Sequence, residues 1–135
     1  MIGLKRLHFW LGAFGIIAFL FTGQYMYHFH DHLENMPGDM RMIFRSGHIY
    51  FLLASIMNLT MGVYLTQFKE KHKTVLQNIS SGLVLVSPVF LLIGFFTEAH
   101  MQDLQRPFSS LGIYGLFGAS ILFLYLGFTN QNKKF

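Results

Sequence analysis

Four stretches without a single Asp, Glu, Lys or Arg divide the chain: residues 7–30, 46–68, 74–97 and 107–132, each 23 to 26 residues long. A helix of about 20 apolar residues spans the hydrocarbon core of a bilayer. A lipid-exposed backbone must satisfy its own polar groups, which leaves helices or closed barrels. Strands of about 5–6 residues are too short to account for such stretches. The chain is therefore predicted to be all-α: a four-helix transmembrane bundle, up-down-up-down, forming a single integral membrane domain over residues 1–135. The helices are expected at roughly 7–27, 45–68, 75–97 and 108–128. Charged residues make up only 12% of the chain, about half the usage of a soluble domain. The first stretch reads as a retained helix, since LFTGQYMYHF offers no small-x-small cleavage site. Pro88 is expected to kink the third helix. Gly112, Gly115, Gly118 and Ala119 suit the fourth to close packing.

Basic residues orient the bundle. Lys5, Arg6, Lys69, Lys71, Lys73, Lys133 and Lys134 share one side of a four-span chain, and Arg41, Arg45 and Arg106 the other. Seven against three predicts cytoplasmic N and C termini in a multi-pass membrane protein. The net charge of +4 then faces anionic lipid. No basic, aromatic groove is available for a nucleic acid, so the bilayer itself is the first expected partner.

There is no cysteine, so any cofactor must be held by His, Met, carboxylate or shape. Seven histidines are present, and His28, His30, His32, His48 and His100 all fall at the expected outer face. His48 is expected about one turn inside the second helix, with His28 and His100 ending the first and third at similar depth. Imidazoles on facing helices can ligate haem iron axially. Arg45 and Arg41 would then pair with its propionates. The segment HFHDHLENMPGDMRM offers a second chemistry. His28 and His32 share a face if the helix continues. His28, His30 and His32 share a side if the segment is extended. Either pattern, with the thioethers of Met36, Met40 and Met42, suits copper, or zinc through the histidines alone. Against both stands the plain reading of interfacial histidines as hydrated or snorkelling groups with no cofactor. Ser55, Asn58, Thr60, Ser80, Ser81, Ser87 and Ser120 read as interhelical hydrogen-bonding groups.

The first helix, KRLHFWLGAFGIIAFLFTGQYM, carries a basic residue, His8, Trp10 and a Thr-Gly about fourteen residues beyond the His. It resembles the first helix of small bacterial membrane b-type cytochromes, the cytochrome b561-like proteins and the cytochrome b subunits of formate dehydrogenases and hydrogenases. RSGHIYFLLASIMNL of the second helix adds to the likeness. The resemblance implies haem b, with His8 ligating an inner haem opposite a His from another helix. The fourth helix here has none. A fainter likeness links the chain to small haem-carrying membrane protoporphyrinogen oxidases, which also place a His at each end of the first helix. Their late-helix Arg is replaced here by the region of Gln24.

The leading expectation is a haem-b-binding protein for electron transfer near the outer leaflet, with a quinone or membrane redox partner. The alternatives are a non-catalytic accessory or assembly subunit of a larger membrane complex, or a homo-oligomer, and an extracytoplasmic metal-handling protein. No nucleotide-binding, serine-hydrolase or zinc-protease motif is present.

Overall fold

A computed structural model describes residues 2–98 and 105–131. It holds four helices: α1 (Ile2–Phe29), α2 (Gly38–Tyr64), α3 (Lys71–Thr97) and α4 (Pro107–Gln131), with no strand among the described residues. All four are long and apolar enough to cross a membrane. The chain is an all-α, four-helix, multi-pass membrane protein.

Helix boundaries differ from expectation for local reasons. α2 begins seven residues before position 45, because Pro37 (φ −53°) serves as its N-cap position and Asp39 sits in its first turn, beside the positive end of the helix dipole. Charged residues thus stand on helix rather than in a loop. α2 stops at Tyr64 rather than Phe68. There Gln77 donates to the Thr66 carbonyl (2.5 Å) and accepts from Phe68 N–H (3.4 Å), while the Thr74 hydroxyl donates to the Phe68 carbonyl (2.9 Å). These side-chain bonds hold the backbone off the helical path. Lys73 donates to the Thr129 carbonyl (3.4 Å) near the end of α4, and Lys5 to the Val63 carbonyl (3.3 Å) near the end of α2. Cations are favoured at such C-terminal ends.

α1 packs along α2 and α3 along α4, and the two pairs join through α2 and α3, leaving α1 and α4 as flanks. Glycine permits the close approach in each pair. A Cβ on Gly62 would lie 2.5 Å from Phe9 Cα, and one on Gly12 would overlap the Leu59 backbone. In the second pair, a Cβ on Gly112 would lie 2.6 Å from Leu91 Cγ and one on Gly115 3.0 Å from Ser87 Oγ. The small-residue face expected on α4 is therefore in use, although Gly118 has nothing nearer than Leu83 Cδ1 at 4.0 Å. Phe51, Ala54, Val84, Leu91, Leu116 and Ala119 form the central core, and Leu33, Ile43, Phe44 and Phe95 a second core toward the other end of α1.

Pro88 lies within α3 without ending it. A proline has no N–H for the carbonyl four residues back. That carbonyl belongs to Val84, and Asn58 Nδ2 on α2 donates to it at 2.8 Å. The defect in one helix is thus satisfied by a side chain of its neighbour, as a membrane interior requires.

Candidate functional site

The consequences of Pro88 reach His8. With its amide group donating to Val84 and also to the Ala54 carbonyl (2.9 Å), Asn58 presents Oδ1 only as an acceptor. His8 Nδ1 lies 2.7 Å from it and must carry the proton. His8 Nε2 then holds a lone pair, which accepts from the Ser81 hydroxyl at 2.5 Å. His8 and Asn58 are 0% exposed. The chain Ser81, His8, Asn58 and Val84 O ties α3, α1 and α2 into one polar clasp. Asn58 and Ser81 are interhelical groups, as expected. Ser55, Thr60, Ser80, Ser87 and Ser120 instead bond carbonyls four residues back in their own helices. Among the described residues, His8 pairs with Asn58 and Ser81 and with no second His, and Ser81 occupies the nitrogen that the implied inner-haem role would need.

His48 is built by the same logic with a different outcome. Thr22 Oγ1 donates to the Phe19 carbonyl (2.8 Å), which uses its one hydroxyl proton. Thr22 must therefore accept from His48 Nδ1–H, 2.9 Å away. The Phe19 ring stacks on the imidazole, with centroids 3.9 Å apart and planes 17° from parallel. His48 Nε2 is left with its lone pair outward and makes no hydrogen bond among the described residues. Gly23 borders it: a Cβ there would sit 3.7 Å from Nε2. A His with one nitrogen pinned by a hydrogen bond and the other open is how proteins orient an imidazole for a metal.

The expected partners of His48 are not beside it. α2 starts at Gly38, so His48 lies about 15 Å below that start, nearly three turns rather than one. Thr22 marks the same level on α1, and His28 is six residues farther along, about 9 Å outward. His28 instead lines an apolar groove with Gln24, Tyr25, Leu92 and Phe96. The shared depth expected of His28 and His48 is corrected accordingly. His100 lies outside the described residues.

The histidine-rich segment is neither the extra helical turn nor the extended strand expected. Asp31, His32 and Leu33 all have positive φ (46°, 55° and 66°), a left-handed turn that L-residues resist. Burial of Leu33 at 2% exposure, against Ile43, Phe44 and Phe95, offsets that cost. The turn spreads the rings. His28 and His32 each meet Tyr27 edge-on, at 4.6 and 4.0 Å between centroids, while His30 packs against Tyr25 and Phe44. Met36 joins the apolar cluster around Leu33, and Met40 is half-buried in the first turn of α2. Among the described residues, no three His, Asp or Glu side chains are placed to hold a metal ion.

Arg41 and Arg45 line a groove with Gly38, Met42, Ser46 and Ile49, which contains neither His48 nor His28. Arg106 is held apart. Its Nε lies 3.6 Å from Glu98 Oε2 and its guanidinium donates to Ser46 Oγ at 2.8 Å. Glu98, 0% exposed, accepts from Phe108 N–H (2.6 Å), Ser109 N–H (3.0 Å) and the Ser109 hydroxyl (2.5 Å). It caps α4 from the end of α3, a carboxylate at the positive end of a helix. The sequence analysis singled out neither this cap nor Thr22 as the partner of His48. The adjacent Pro107 start of α4 was the available signal.

No protein-family model, curated protein or solved structure matches this chain.

Proposed function

We propose that the chain is a membrane haem-b protein serving electron transfer, with His48 as an axial ligand. One observation supports this reading most: His48 stands within a membrane-spanning helix, its Nδ1–H committed to Thr22 and its Nε2 unpartnered among the described residues. A polar nitrogen in an apolar span is costly unless it finds a partner. Thr22 fixes the tautomer and Phe19 the ring plane, so neither needs rearrangement to present Nε2 to iron. Gly23 keeps the adjoining α1 surface free of a side chain. Bound haem would supply one-electron chemistry, and this chain would supply one ligand, its orientation and an apolar surround. The reading includes a bacterial inner-membrane location, cytoplasmic termini and a quinone or membrane redox partner. The visible spectrum of detergent-purified protein tests it: a Soret band supports haem, and a colourless protein that co-purifies with a larger complex overturns it.

That second outcome belongs to the accessory-subunit reading. It is favoured by the flanking positions of α1 and α4, which expose Phe14, Phe21, Tyr114 and Phe117 at 61–72%.

A further inference from the structure

We propose that the groove on the N-terminal part of α2 binds the phosphate of an anionic phospholipid, independently of any haem. Arg41 and Arg45 are four residues apart, so both guanidiniums serve one helix face. They stand about 5 and 10 Å below the start of α2, at headgroup depth for a helix that enters the bilayer there. Among the described residues no carboxylate pairs with either. Of the acids on this side, Glu98 is engaged by Arg106 and the start of α4, while Asp31 and Asp39 meet neutral donors, Asn35 (3.2 Å) and Met40 N–H (2.9 Å), and keep their charge away from the two arginines. Arg106, reaching Ser46 at the edge of the same groove, is paired with Glu98, so Arg41 and Arg45 are the cations lining the groove that have no ion-pair partner among the described residues.

The groove also has the amphipathic layout of a lipid. Arg41, Arg45 and the Ser46 hydroxyl form its polar part, and Met42 and Ile49, 59% and 60% exposed, its apolar part. Ile49 lies one turn deeper than Arg45, where an acyl chain would continue from a phosphate held above it. Guanidinium forks match phosphate oxygens in pairs. These cations lie on the side of the bundle with fewer basic residues, so general attraction to the more basic face does not account for them.

The test is native mass spectrometry of the full-length protein, with phosphatidylglycerol or phosphatidylcholine added at equal mole fraction to the detergent. A cation near a membrane surface contributes about fivefold, so two predict roughly a thirty-fold preference for phosphatidylglycerol. Arg41→Gln with Arg45→Gln should lower that preference by about the same factor and leave helical content unchanged, since neither side chain makes an internal ion pair. Equal retention of the two lipids by the unaltered protein would overturn the proposal, whatever the variant does. Displacement of phosphatidylglycerol by millimolar inorganic phosphate would overturn the lipid as its source and leave a free-anion site. Lipid preference retained in the double variant would place the site elsewhere.

Discussion

At the scale of single residues, the fold places polar groups where one element's defect is another's partner. Asn58 is the hinge of this arrangement, serving Val84, Ala54 and His8 at once. Asn58→Leu should cost about 1–3 kcal/mol, because it strands a carbonyl and an imidazole N–H away from water. Thr60→Val, which removes only an exposed bond to the Ile56 carbonyl, should stay within about 0.5 kcal/mol. Thermal unfolding in detergent separates the two, and equal stabilities would show the clasp to be idle. Glu98→Ala should cost about 2 kcal/mol, the upper end for a lost cap. Glu98→Gln keeps an acceptor for the two N–H groups and should fall between Ala and the parent by the same measurement. Neither arrangement was legible from sequence. Asn58 and Ser81 were visible as polar residues inside spans, but which carbonyl Pro88 frees, and which helix faces it, depends on packing. His48 is legible as an imidazole within the second span, but its depth is not, because α2 begins at Gly38 among charged residues rather than where the charges end.

Among the elements, the α1–α2 seam is closer than anything the sequence suggested. Attention falls naturally on α4, where glycines recur. Gly12, Gly15 and Gly62 are more scattered, and their use depends on the register of two helices. Gly12→Ala should destabilise the bundle by about 1–3 kcal/mol, since the new methyl meets Leu59 backbone, which cannot swing aside. Gly82→Ala has nothing within 4 Å of the new carbon and should be neutral or stabilising by up to about 1 kcal/mol. Thermal melts of the two variants check the pair, and a Gly12→Ala protein as stable as the parent would refute the close approach. The outer segment shows the opposite limit of pattern reading. Alternating histidines suggest a shared side, but burial of Leu33 selects a left-handed turn that no periodicity encodes.

For the whole molecule, four charge-free stretches sufficed to predict the fold class, because the bilayer permits so few alternatives. The seven-to-three distribution of Lys and Arg predicts cytoplasmic termini. A reporter joined after Phe135 should be active on the cytoplasmic side, and activity only on the far side would reverse the assignment. The proposed function was less legible, since it turns on one imidazole whose neighbours come from separate helices. The measurement that bears on it most directly is the visible absorption spectrum of the parent beside His48→Ala, purified in the same detergent. His48 as an axial ligand predicts a Soret band in the parent, lost in His48→Ala and kept in His30→Ala and His32→Ala. A parent with no Soret band, or a band that survives His48→Ala unchanged, would contradict it.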